Sequence, residues 1–190
     1  MKELEERIIK DGVILPGDIL KVGSFLNQQI DSKLLKSMAK ETLKYFPKGS
    51  ITKILTIEAS GIAFATALAF EYDVPFVFAK KSVTSNVTGY LLTAKVESYT
   101  HGKVNIISVP ESYIDPDDIV LIADDFLANG NALRGLINIV EARGAIVAGC
   151  VCEIEKVYQN GGNKLRDSGY KVISLAGITE MTDDGKIKFN

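Results

Sequence analysis

Two adjacent carboxylates, Asp124 and Asp125, follow the apolar run Val120–Ala123, and a few residues later comes a string of small ones, Ala128-Asn129-Gly130-Asn131-Ala132. The apolar run reads as a buried parallel strand. The small residues read as a tight turn, and Ala132–Arg143 as an amphipathic helix stopped by Gly144. A turn that opens a helix makes an anion pocket. The first N–H groups of the helix lack intrahelical partners, its dipole favours negative charge, and Gly130 lets backbone come close to a phosphate. The carboxylates add acceptors for vicinal hydroxyls such as a ribose diol. Together the segment is shaped for a ribose 5-phosphate; the plainer alternative is that the acids only cap the next helix.

A second strand-to-helix loop, Glu58-Ala59-Ser60-Gly61, follows the strand Lys53–Ile57 and offers N–H donors to a second anionic group. Lys80 and Lys81, after the strand Pro75–Ala79, can supply positive charge there, or can simply be a solvated strand end. From Ser82 to Gly89 the chain is polar and without periodicity, which predicts a mobile loop. Lys156 closes the strand Ile146–Glu155 and can donate to a carbonyl of a flat ring. Tyr158 can shield that lysine and Phe126 can pack on the ring's face, although either aromatic also suits a core. The commoner nucleotide motifs, Gly-x-x-x-x-Gly-Lys-Ser/Thr and Gly-x-Gly-x-x-Gly with a later acid, do not occur in the sequence. Cys150 and Cys152 fall on one face of a strand and read as small buried hydrophobes rather than metal ligands. His101 reads as a solvated turn residue.

These residues need a scaffold, and the sequence provides one. Its 190 residues, 46% hydrophobic and 24% charged, suit one domain with an ample core. A net charge of −2 counts against a nucleic-acid partner. No apolar run reaches membrane-span length, and the charged start Met1–Arg7 is unlike a signal peptide, so a cytoplasmic protein is expected. Residues 1–50 read as a helical hood, with helices over Lys2–Lys10 and Asp31–Tyr45, the latter capped by Asp31 or Ser32. The stretch Leu20–Gln29 between them is either a connection or a lid. From residue 51 strands and helices alternate, adding Leu91–Tyr99 and Val104–Val109 as extended runs, Gly162–Ser168 as a short helix and Lys171–Leu175 as a last strand. The predicted class is α/β: a parallel twisted sheet with helices on both faces over residues 51–190.

The arrangement of an apolar strand, Asp124-Asp125 and Ala-x-Gly-x-Ala resembles the phosphoribosyl-pyrophosphate (PRPP) signature of the type I phosphoribosyltransferases. The likeness extends along the chain through Asp11–Leu15, Leu20–Val22, Ser24–Asn27, Thr56–Glu58, Phe78–Lys81, Leu91–Ala94, Asp124–Gly130 and Ile154–Lys156, and is similar to the bacterial xanthine-using branch of that family. The resemblance implies that Ala128–Ala132 hold the 5-phosphate and that Glu58–Gly61 with Lys81 hold pyrophosphate. It also implies that Asp124 and Asp125 hold the ribose, and that Leu20, Asn27 and Lys156, with Phe126, contact the purine. Ser60 stands where the family commonly has a basic residue. Also implied are Mg²⁺ carried chiefly by PRPP, with no metal site built by the protein itself, xanthine as the purine partner, and a homodimer with neither nucleic acid nor membrane as partner. Two alternatives share the scaffold: a hypoxanthine/guanine or adenine transferase, and a PRPP-sensing transcriptional regulator.

Overall fold

The computed structural model describes residues 1–81, 89–97, 104–182 and 184–190. His101 and residues 82–88 of the expected mobile loop lie outside the described residues. In chain order come α1 (Lys2–Asp11), a hairpin of β1 (Val13–Leu15) and β2 (Ile19–Lys21), a π-helical turn at Gly23–Asn27, and α2 (Ser32–Thr42). Then follow β3 (Lys53–Ile57), α3 (Gly61–Tyr72), β4 (Phe76–Ala79), β5 (Leu91–Glu97) and β6 (Val104–Pro110). The chain continues through β7 (Ile119–Leu127), α4 (Asn131–Arg143), β8 (Ile146–Lys156), α5 (Gly161–Asp167), β9 (Val172–Met181) and β10 (Ile187–Phe189).

The main sheet runs in the order β10-β9-β8-β7-β3-β4, parallel throughout except for the antiparallel edge strand β10. From β3 the chain steps outward to β4, then returns to lay β7 on β3's other side and continues away through β8 and β9. The order therefore reverses between β3 and β7. In an open parallel sheet the crevice beyond the strand ends at such a reversal is where ligands bind.

Both faces of the sheet are covered, which is why β3 is buried at every position, its polar Lys53 and Thr56 included. One core joins Leu4, Ile8, Phe25, Met38, Phe64 and Leu68 to Leu121 and Val151 of the sheet. The other packs Ile107, Leu136 and Ile137 on Ile122, Cys150 and Cys152. Both cysteines are free thiols with 0% exposure, as the strand periodicity required.

The hood departs from an all-helical segment. Val13–Lys21 folds as a hairpin because the short apolar stretches Val13-Ile14-Leu15 and Ile19-Leu20 flank Pro16-Gly17-Asp18, and Gly17 (φ 85°) and Asp18 (φ 64°) take the left-handed backbone that a tight turn needs. Asp31 is the N-cap of α2, accepting from the N–H groups of Lys33 at 3.1 Å and Leu34 at 3.2 Å. Arg7 reaches Asp31 at 2.7 Å and lies 5.1 Å over Phe25, tying α1 to α2 and to the π turn. α2 ends at Thr42, whose hydroxyl turns back onto the Met38 carbonyl at 3.1 Å. β5 and β6 stand outside the sheet as an antiparallel hairpin beside α4, where Gly135 makes room for Val96.

At the opposite end of the sheet from the crevice, Lys53 and Asp118 form a buried ion pair at 2.5 Å. Burial alone would push the Asp118 carboxyl up; hydrogen bonds from Lys53, from the Thr52 hydroxyl and from the Asp115 N–H outweigh it and hold it below the ordinary range. Lys53→Met strips the cation from a carboxylate that stays buried, so it is expected to cost about 3 kcal/mol and to lower Tm by roughly 6–12 °C. Thermal unfolding at neutral pH checks this, and a drop under about 2 °C would remove the pair from the stability account.

Candidate active site

A cleft of about 350 Å³ opens at the β3–β7 reversal. Its walls are Asp18, Ile19 and Leu20 of the hood, Glu58 and Ser60 after β3, Lys81 after β4, the segment from Asp124 to Gly130, and Lys156 at the end of β8. Val96, Asn105 and Ile107 of the β5–β6 hairpin complete it.

The two loops that the sequence singled out face each other here. The bond Glu58–Ala59 is a cis peptide. Glu58 accepts from the Lys81 N–H at 2.6 Å, tying the β3 loop to the end of β4. A Cβ on Gly61 would meet the Thr56 hydroxyl at 2.2 Å and Asp124 at 3.2 Å, so glycine is what lets α3 begin hard against the acid. In the second loop Gly130 (φ 85°) turns the chain into α4, one residue earlier than expected. The Asn129 side-chain oxygen accepts from the Asn131 N–H at 3.0 Å and so holds the helix start. Backing this loop is Gly161, whose N–H donates to the Ala128 carbonyl at 3.2 Å. A Cβ there would lie 2.2 Å from the Ala128 oxygen, 2.4 Å from Asn129 C and 2.5 Å from Gly130 N. Sequence reasoning did not single out Gly161; its contact partner lies more than thirty residues away in the chain.

The strand β7 runs on through both acids, so Asp124 and Asp125 leave it in opposite directions. Asp124 is 5% exposed, and burial, with the neighbouring Asp125 charge, pushes its carboxyl well above the usual range. It accepts from the Asp125 N–H at 3.0 Å. Asp125 is half-buried, and the Asn27 amide donates to it at 3.2 Å. Asn27 thus reaches the site through the acid, and it does not line the cleft.

A third carboxyl, Glu153, lies in β8 between Cys152, paired with Asp124, and Ile154, paired with Phe126. It is 1% exposed, and its Oε1 has no hydrogen-bond partner. Burial first, then the charges of Asp125 and Asp124, push it well up. The signal in the sequence was a charge inside an apolar strand. Because the folded state holds this proton far above the ordinary value of 4.5, its contribution is complete below that pH and drains away as pH rises. Glu153→Gln removes the titration. Its Tm advantage over the parent is expected to be small near about pH 5 and to grow as pH rises toward about 8.5. Melting curves at both pH values test this; an equal difference at the two would show that the proton is not held.

Residues 21–180 match the phosphoribosyl transferase domain family. The xanthine phosphoribosyltransferase of Oceanobacillus iheyensis is 49% identical over 189 residues, covering 100% of this chain and 97% of that one. The chain belongs to the phosphoribosyltransferase family. The xanthine phosphoribosyltransferase of Lactobacillus delbrueckii subsp. bulgaricus is 47% identical over 190 residues, with both chains fully covered. Among solved structures, the adenine phosphoribosyltransferase of Trypanosoma brucei, in complex with AMP, pyrophosphate and ribose-5-phosphate, superposes with a TM-score of 0.78 at 19% identity, over 96% of this chain and 82% of that one. That of Rhodothermus marinus gives 0.75 at 24% identity, over 93% and 99%. At these identities the two structures speak to the fold alone.

In this phosphoribosyltransferase, Asp124, Asp125, Glu58, Ser60, Lys81, Ala128, Asn129, Gly130, Ala132, Leu20, Phe126 and Lys156 all line one cleft. Ala59, Gly61 and Asn131 belong to the same two loops without lining it. Tyr158, 41% exposed, donates its hydroxyl to Asp18. Among the described residues no three His, Cys, Asp or Glu side chains gather as a metal site.

Proposed function

We propose that the enzyme transfers the 5-phosphoribosyl group of PRPP to N9 of xanthine, giving xanthosine 5′-monophosphate and pyrophosphate in purine salvage. The observation that carries this reading is the adjacency, at one strand end, of a carboxylate pair and a glycine turn opening a 13-residue helix. The near-half identity to relatives named xanthine phosphoribosyltransferases supports the base.

On this reading the α4 turn binds the 5-phosphate with backbone N–H groups and the helix dipole. Asp124 and Asp125 accept from the ribose hydroxyls, and the Asp125 carboxylate favours positive charge developing at C1 as its bond to pyrophosphate breaks. N9 of the base forms the new bond to C1, the electrons of the broken C1–O bond leave with pyrophosphate, and the purine's imidazole proton passes to solvent. The Glu58–Gly61 loop and Lys81 face the departing pyrophosphate, while Leu20, Phe126 and Lys156 form the base end, with Asn27 acting through Asp125. Bound with PRPP, Mg²⁺ would supply charge neutralisation, and the hard carboxylate oxygens of Asp124 and Asp125 suit such an ion. The proposal includes a single domain with residues 1–50 as hood and 51–190 as core, a homodimer and a cytoplasmic setting. Phe70 of α3, 81% exposed, gives a second subunit an apolar side chain to cover.

The test is product formation from PRPP and Mg²⁺ with xanthine, guanine, hypoxanthine and adenine offered separately. Preference for xanthine is the expected result. Turnover of another purine keeps the chemistry and discards the specificity. PRPP binding without product from any base overturns the enzyme and favours a sensor.

A further inference from the structure

The β1–β2 turn places one carboxylate where it touches the base wall from the opposite end of the chain. Asp18 has φ 64°, a left-handed backbone that Asp tolerates better than most side chains. Its backbone oxygen accepts from Lys156 Nζ, its Oδ1 from the Tyr158 hydroxyl and its Oδ2 from Gln159 Nε2. Lys156 Nζ also lies 3.5 Å from Oδ2, and these partners stand 138 to 141 residues further along the chain. Asp18 and the next two residues, Ile19 and Leu20, line the cleft together with Lys156.

We propose that Asp18 is a positioning residue for the base: it clamps the hairpin over the base end of the cleft and fixes where the Lys156 ammonium points. This rests on the reading of that end as a purine pocket. Lys156 is 7% exposed, and a lysine that deep needs an anionic or carbonyl partner. Asp18 supplies both from one residue. The carboxylate also offsets the ammonium's charge. The wall therefore presents a directed N–H donor with little net charge, which selects a base by the position of its carbonyl rather than by its ionisation. The same bonds seat Leu20 against the space a base would fill, so hood and donor are set together.

Two readouts on the full chain separate this proposal from the functional reading. In the ligand-free protein, Asp18→Gly keeps the turn but loses the carboxylate, and amides of residues 13–21 are expected to exchange about tenfold faster than in the parent. In steady-state kinetics the same variant is expected to raise KM for the purine about tenfold and to leave KM for PRPP within about twofold. Asp18→Asn, which keeps the turn and one acceptor oxygen, should fall between the two proteins. Unchanged exchange overturns the clamp whatever the enzyme's substrate. Faster exchange in a protein that turns over no purine keeps the clamp and overturns the functional reading. Faster exchange with both KM values rising together overturns base positioning and reduces Asp18 to a structural contact.

Discussion

Asp125→Ala is expected to lower kcat/KM by about a thousandfold while moving Tm by no more than about 3 °C. The side chain is half-buried at the strand end and faces the cleft, so truncation leaves no large void in either core. What it removes is an acceptor for the ribose hydroxyls and a negative charge beside the carbon that becomes cationic. Charge-assisted hydrogen bonds contribute about 1.5–3 kcal/mol each, and two of them with the field effect reach roughly 4 kcal/mol, or three powers of ten. Asn27 then loses its partner at 3.2 Å as well, so Asn27→Ala should show a smaller loss in the same direction. Pyrophosphate release measured beside a melting curve decides the matter. Turnover near the parent's would refute the ribose-binding role of Asp125.

Gly161→Ala should be nearly as damaging, though the residue lies behind the cleft. Each of the three atoms its Cβ would meet, at 2.2, 2.4 and 2.5 Å, is backbone of the phosphate loop, so no side-chain rotation relieves the overlap. Ala128–Gly130 must move by on the order of 1 Å, and a displacement of that size typically costs about a hundredfold. The loss is expected in KM for PRPP. Gly162→Ala is the natural control: its Cβ would strike side chains, Glu155 at 1.9 Å and Arg166 at 2.7 Å, and so attack the ion pair of buried Glu155 with half-buried Arg166 instead of the loop. That variant should lose Tm while keeping its affinity for PRPP. Identical behaviour of the two variants would mean that Gly161 supports the fold and not the loop.

The parts of the site legible in the sequence were those written in local pattern. A buried strand, an acid pair and a glycine turn lie within thirteen residues of one another, Val120–Ala132, and strand-to-helix chemistry explains them without tertiary information. The Glu58–Gly61 loop was readable for the same reason. Gly161 and Asp18 were not, because each acts on a partner that only the folded sheet brings near: a glycine is unremarkable until something presses on it, and a turn aspartate looks solvated; Glu153 shows only as a charge inside an apolar strand. β1 and β2 leave no signal in the sequence, because three-residue strands are too short to show a period. β7 continues through both acids and β9 through Met181, because β8 pairs β7 as far as Leu127 and β10 pairs β9 as far as Met181, beyond where hydrophobicity alone would stop them.

The reversal of strand order between β3 and β7 also governs how the protein comes into being. β3 cannot acquire its second neighbour until Lys53 finds Val120, and the walls of the cleft wait longer still, for Lys156 to reach Asp18 and for Gly161 to settle behind Ala128. Pairings of such wide separation carry a loop-closure cost before they return any contact energy, and chains built on them fold slowly. On the ribosome the hood emerges first and has nothing to close over. A nascent chain stalled short of residue 161 already carries the acid pair and the glycine turn, but no ordered place to put a phosphate.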